Sequence, residues 1–398
     1  MEPILIPSLA NRLVIPTDPS EDEFNYCSSG ITIDSYEIIS TIGSGSYGSV
    51  YLVREKSNGN VYALKKIYYV DVHDSELVKK RAIRERDAMI VCNKAKNSRA
   101  PKLHRAFIDK DECVFYYVMD YIGGGDFNSY CYKRLCEQKP FTMDEIKFYM
   151  AELVICIETF HHLGLIHRDV KPENIMINEE GHLILCDYGS SKQLFNNYST
   201  HNGFLSVSSS APGHGGSFGS FGSGSFGSSG GSFGSGSFGS GGFSNTPPNF
   251  TSFLRNPSSS YTSYIGTPQY MAVEVVQGTN YSKLCDYWSL GAILFELCTG
   301  QALFVESPDT TEQKIRENIG NWRGLLNTAI SKNQSIPKVV ETLIRDLIAP
   351  ERKRIDSMGI RKHPFFEGIN WEDVSNHRNT PPFKPTLNSS TDTTYFRN

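Results

Sequence analysis

The segment His167-Arg168-Asp169-Val170-Lys171-Pro172-Glu173-Asn174 puts a carboxylate, an ammonium and an amide at short, fixed spacing. Asp169 can accept or orient the proton of an attacking hydroxyl. Lys171 can neutralise charge on a γ-phosphate, and the Asn174 amide oxygen is a hard ligand suited to Mg²⁺. Asp187, in Asp187-Tyr188-Gly189, comes 13 residues after Asn174, behind a predicted strand. Alone, an Asp before Gly is usually a turn residue. With Asn174 it makes an oxygen-rich Mg²⁺ site, and the chemistry of the set is phosphoryl transfer to a hydroxyl.

Upstream, Gly43-Ser44-Gly45-Ser-Tyr-Gly48-Ser-Val50 is a GxGxxGxV pattern between two predicted strands. Glycine lets backbone N–H groups approach phosphates that a Cβ would block. The pattern alone also fits dinucleotide folds and ordinary turns. Two details favour the phosphate loop of a β-sheet: Val50 starts a strand rather than a helix, and Lys65 follows on the next strand. Out of context Lys65 would be a solvated strand lysine. Glu85 lies 20 residues further on, in a predicted helix over 75–92. It can pair with Lys65 and hold it against the α- and β-phosphates. The bland alternative is a surface Glu in a charge-laced helix.

Positioning these groups requires a strand-rich N-terminal part and a helix-rich C-terminal part. YEIISTI, VYLVRE, VYALKKIYYV and CVFYYVMDYI read as strands, and residues 75–92 have helical apolar spacing. GGG at 123–125 reads as a hinge-like break. Residues 142–164 form a long amphipathic helix pattern with Thr142 as N-cap and Glu145 three residues on. Further helical segments are 283–299, 311–320 and 336–348. Residues 1–35 carry little periodicity and read as a poorly ordered extension.

Residues 195–262 fit neither part. From Gln193 to Leu254 there is no Asp, Glu, Lys or Arg, and the centre is a Gly-Ser-Phe repeat. Such a sequence cannot bury enough apolar area to offset chain entropy, so a low-complexity insert is expected. An inert spacer and a weak multivalent binder both fit it. Of the 398 residues, 39% are hydrophobic and 21% charged, with net charge −4. Nothing in that balance points to nucleic acid or an anionic membrane. No apolar run spans a bilayer and the N-terminus lacks a secretion-signal pattern. Nine cysteines without a CxxC pair fit reduced thiols in the cytoplasm or nucleus.

In these motifs the sequence resembles the eukaryotic protein kinases, over 36–366 outside the insert. The resemblance implies an α+β, bilobal fold. A small antiparallel N-lobe sheet with one helix (36–119) would precede a larger helical C-lobe (120–366) and a tail (367–398). It implies an ATP-dependent protein serine/threonine kinase using Mg²⁺, with Mn²⁺ as a substitute; the rival is a pseudokinase scaffold. Lys65, Asp169 and Asp187, the positions pseudokinases generally lose, are present. It implies nucleotide contacts at Ile42, Gly43, Ser44, Gly45, Gly48, Val50, Ala63 and Lys65. Met119 would be the gatekeeper, Asp120–Ile122 the hinge, and Asp126 the ribose contact. Glu274 would pair with Arg354 and Asp286 would brace the catalytic loop, both structurally.

HPFFEGINWEDV (363–374), TPPFKPTL (380–387) and DTTYF (392–396) are similar to the AGC group, with Phe396 as the tail aromatic expected at the ATP site. The insert resembles those of nuclear Dbf2-related and greatwall-like subgroups. The sequence departs from the pattern at Tyr188, where Phe is usual and where a buried hydroxyl needs a partner. It departs at Val273 for proline, in GQALF (300–304), and in ending at Asn398 without the usual hydrophobic motif. Asp126, Glu173 and Glu296 align with acidic contacts to basic substrate residues, though they also read as solvated carboxylates. Ser263, with Thr262 as rival, aligns with an activation-segment phosphosite, and Arg168, Lys192 and Arg81 with its receptors. Expected partners are protein substrates and an upstream activating kinase, with the chain itself a monomer.

Overall fold

Alternating β-branched and aromatic residues build the first half of the fold. The protein is described by a computed structural model covering residues 24–45, 48–69, 75–193 and 268–396. Strands β1 (Tyr36–Gly45), β2 (Gly48–Glu55) and β3 (Val61–Tyr68) lead to helix α1 (Ser75–Lys94), then β4 (Leu103–Asp109) and β5 (Val114–Met119). The strands form one antiparallel sheet in the order β1-β2-β3-β5-β4. α1 packs on it through Val78, Ala82, Met89 and Cys92, which share a buried cluster with Phe115 and Tyr117 of β5.

After residue 119 helices dominate. They are α2 (Phe127–Cys136) and α3 (Met143–His162), then, beyond the short strands β6 (Leu165–Ile166), β7 (Ile175–Ile177), β8 (Leu183–Leu185) and β9 (Lys192–Gln193), α4 (Val273–Val276), α5 (Cys285–Thr299), α6 (Glu312–Gly320), α7 (Trp322–Lys332), α8 (Lys338–Leu347), α9 (Ser357–Lys362) and α10 (Trp371–Ser375). The predicted capping box forms: Thr142 Oγ1 accepts from the Glu145 N–H and Glu145 accepts from the Thr142 N–H at 2.7 Å. α3 and α5 form the centre of the larger core and are buried on nearly all sides. No helix among the described residues is long and apolar enough to cross a membrane. The insert expected at 195–262 lies outside the described residues.

Three differences from the sequence reading have physical causes. α2, α7 and β4 were not expected, because α2 and α7 are short and mixed in polarity and β4 gains its order from pairing with β5. Part of the segment read as a poorly ordered extension is packed: Phe24 is fully buried and Tyr26 pairs with Ala106. Its two aromatics, Phe24 and Tyr26, offer no periodicity to read. The triple glycine also has a further purpose. A Cβ on Gly123 would meet Leu387 at 2.7 Å, one on Gly124 Pro385 at 2.7 Å, and one on Gly125 the Tyr395 carbonyl at 2.3 Å. The C-terminal segment lies directly across it.

Candidate active site

Lys65 sits mid-strand, paired with Val50 on one side and Tyr117 on the other. Glu85 comes from the inner face of α1 and is 5% exposed. The Lys65 ammonium donates to Glu85 Oε1 at 2.6 Å and lies 3.4 Å from Asp187 Oδ1. Burial works against that ammonium, but the charges of Asp187 and Glu85 outweigh it and hold Lys65 above its usual range. In turn, the Lys65 charge holds Asp187 down at about 2. The helix carboxylate available at Glu76 does not compete; it is exposed and pairs with Lys79.

The catalytic segment is braced from beneath. Asp286, near the start of α5, accepts from the backbone N–H groups of His167 and Arg168 at 3.0 and 2.8 Å, and its Oδ2 lies 2.7 Å from His161 Nε2. Burial disfavours its charge, yet the His161 contact and the neighbouring imidazoles keep Asp286 below its ordinary value. These bonds fix Arg168 at φ 68° and, one loop on, Asp187 lies at φ 61°. Non-glycine residues held in this region cost roughly 1–3 kcal/mol each, so the surroundings must over-determine them. Asp169 Oδ2 accepts from Lys171 Nζ at 3.0 Å and from Asn174 Nδ2 at 3.1 Å. Asn174 Nδ2 also reaches the Asp169 carbonyl at 2.8 Å. Both amide bonds use nitrogen, which leaves the Asn174 oxygen for a cation.

Tyr188 answers the question its hydroxyl raised. It is buried and donates to the Leu185 carbonyl at 2.5 Å. Its ring stacks on Phe160 (5.0 Å, 28°) and meets His167 edge-on (5.6 Å, 81°). So Tyr in place of Phe keeps the apolar packing and adds a tether one turn upstream.

The sheet register brings the other expected nucleotide contacts together. Gly43 pairs with Val50, Val50 with Lys65, and Ala63 with Met119. Ile42 sits at a β1 irregularity beside Gly43. A Cβ on Gly43 or Gly45 would meet nothing closer than 3.7 Å, so space lies over both. Gly48 is different: a Cβ there would be 1.7 Å from the Lys66 carbonyl, so the adjacent strand demands this glycine. Ser44 is exposed. At the hinge, the Asp120 N–H donates to the Lys102 carbonyl at 3.0 Å. Beside Ile122, the Tyr121 ring stacks on Phe396 at 5.6 Å and its hydroxyl donates to the Asp392 carbonyl. Asp126 caps α2, with its carboxylate accepting from the Ser129 N–H at 2.7 Å and hydroxyl at 2.6 Å.

Further from the centre, Arg354 forks onto Glu274 at 2.5 and 3.0 Å, with the pair almost fully buried. Arg168 donates to the Ser190 and Ser191 carbonyls at 2.5 and 3.0 Å and to Tyr281 Oη at 2.6 Å. Lys192 lies over the Tyr281 ring. Burial, and then the charges of Arg168 and Arg81, hold Arg84 below its usual value. The sequence reading named Arg81 but missed Arg84 and Tyr281; the three-residue spacing of Arg81 and Arg84 on α1 was the available signal. Ser263 and Thr262 lie outside the described residues.

A bilobal arrangement with a Lys–Glu–Asp cluster above a braced Asp-Lys-Asn segment is the arrangement of a protein kinase. The chain matches the protein kinase domain over residues 36–213 and 250–366, and it belongs to that family. It is similar to a probable serine/threonine-protein kinase of Dictyostelium discoideum, 66% identical over 420 residues and covering 100% of both chains. It is also similar to the serine/threonine-protein kinases CBK1 of Yarrowia lipolytica (30% over 373 residues, 92% of this chain and 58% of that one) and cot-1 of Neurospora crassa (32% over 372 residues, 91% and 56%). The family uses ATP and Mg²⁺. No described residue favours a non-catalytic scaffold over an enzyme.

Proposed function

We propose that this chain is a Mg²⁺- and ATP-dependent serine/threonine kinase that prefers hydroxyls flanked by basic residues. One observation carries the enzymatic reading: Lys65, Glu85 and Asp187 converge while Asp169, Lys171 and Asn174 are hydrogen-bonded together. The donor set fits the nucleotide. Lys65 would meet the α- and β-phosphates, the Gly43–Gly45 strand would cover them, and the hinge backbone would take adenine. Asp187 and the Asn174 oxygen would hold Mg²⁺, which neutralises charge developing on the phosphates. Phosphate and water oxygens would complete the metal's shell. Asp169 orients the substrate hydroxyl and takes its proton, and Lys171 stands beside it as the compensating cation.

The substrate preference rests on three carboxylates. Burial first, then the charges of Glu296, Asp126 and Glu173, raise the Cys131 thiol well above its usual value, so all three acids act on that one buried group. Glu296 accepts from Tyr270 Oη at 2.7 Å. Such a site attracts Arg or Lys. The test is transfer of γ-phosphate from Mg·ATP to serine peptides with and without an upstream Arg, with Asp187→Asn as control. Equal transfer by wild type and D187N would defeat the enzymatic reading, and no Arg preference would defeat the substrate reading. Arg168, Arg84, Arg81 and Lys192 also support phosphate on Ser263 by an upstream kinase as a switch. Full activity of Ser263→Ala would reject it.

A further inference from the structure

We propose that Phe24, outside the catalytic motifs, is a positioning residue that holds α1 in the register the Lys65–Glu85 pair needs. The inference rests on the kinase reading of that pair. Phe24 is fully buried. Its ring lies 4.4 Å from Phe115 and 5.7 Å from Tyr117, both on β5. On the helix side, the guanidinium of Arg86, the α1 residue after Glu85, covers it at 5.3 Å. Tyr26 anchors the segment: its N–H donates to the Ala106 carbonyl at 2.8 Å and its carbonyl accepts from the Ala106 N–H at 3.0 Å. The pairing caps β4, the edge of the sheet.

The connection from Phe24 to the active site is short. Tyr117, against which Phe24 packs, pairs in register with Lys65. The Tyr117 hydroxyl donates to the Ala82 carbonyl of α1 at 2.7 Å. Ala82 lies three residues before Glu85, close to one helical turn. The ring Phe24 supports therefore ties the strand pair carrying Lys65 to the helix carrying Glu85. Removing Phe24 opens a side-chain-sized void between β5 and α1, which α1 relieves by shifting. Glu85 then leaves the 2.6 Å contact with Lys65.

The test uses full-length Phe24→Ala, Phe24→Leu and a free peptide of residues 20–31. Hydrogen exchange of α1 amides should speed up on the order of 100-fold in F24A, while α3 amides stay protected. Phosphate transfer should fall about 10-fold or more in kcat. The peptide should restore both, a peptide carrying the same Phe24→Ala change should not, and F24L should stay close to wild type. Unchanged α1 exchange in F24A overturns the proposal. So does equal acceleration of α1 and α3, which would mean general destabilisation. Failure of the kinase reading would appear separately, as no phosphate transfer by wild type, and leaves the exchange result decisive.

Discussion

Replacing Glu85 by Gln removes one charge from the active site while keeping its shape. The amide oxygen still accepts from Lys65, so the 2.6 Å contact survives without its electrostatic part. At that separation and an effective dielectric near 20, Coulomb attraction is about 6 kcal/mol before desolvation is subtracted. Breaking one side of a buried pair typically costs about 3–5 kcal/mol. A loss of about 3 kcal/mol in holding Lys65 in place corresponds to roughly 150-fold in kcat/KM. Lys65 would lean on Asp187, now 3.4 Å away, and compete for the carboxylate proposed to hold the metal. The assay is steady-state transfer to an Arg-containing serine peptide, with thermal unfolding alongside. Tm should fall by several degrees, since the buried Lys65 ammonium loses one of its two compensating charges. A kcat/KM within threefold of wild type would refute the assigned role of the pair.

Other expectations follow from neighbouring features. Arg354→Met strands Glu274 and frees the Ala349 and Leu284 carbonyls, so stability should fall about 3–5 kcal/mol and Tm by on the order of 10 °C, with Glu274→Leu added in the same chain restoring most of it. Gly125→Ala meets the Tyr395 carbonyl at 2.3 Å and a φ of 76°, so the tail should lift from Tyr121 and KM for ATP rise about 2- to 12-fold, the worth of one aromatic pair; faster proteolysis of the tail would accompany it. Burial pushes Glu296 up to about 7, against the Tyr270 hydrogen bond. Below that pH the free enzyme holds a proton that a cationic peptide must displace. So KM for basic peptides should rise as pH falls through 7 and level off above about 8, and Glu296→Gln should abolish the inflection.

The candidate catalytic residues were legible because the chemistry they suggest is local in sequence. Asp169, Lys171 and Asn174 lie within six positions, and three hydrogen bonds among them span little chain. Glu85 was legible as a candidate, but only the inner face of α1 decided between it and Glu76. Strands β1, β2, β3 and β5 showed in their apolar patterns, whereas β4 depended on a partner. Gly48 looked like a phosphate-loop glycine, yet the Lys66 carbonyl requires it whether or not phosphate binds.

Short-range chemistry and periodicity were thus enough for the reaction class, the two-lobed plan and the residues expected to act. Contacts across long chain separations were not readable, because a side chain's burial depends on what other segments bring to it. Phe24 is one aromatic in an aperiodic stretch until β5 and α1 enclose it. Tyr188 is a departure from pattern until the Leu185 carbonyl meets its hydroxyl. The glycines at 123–125 are a flexible break until Leu387, Pro385 and Tyr395 close over them. Each is set by packing density and hydrogen-bond satisfaction, which exist only once the chain has folded.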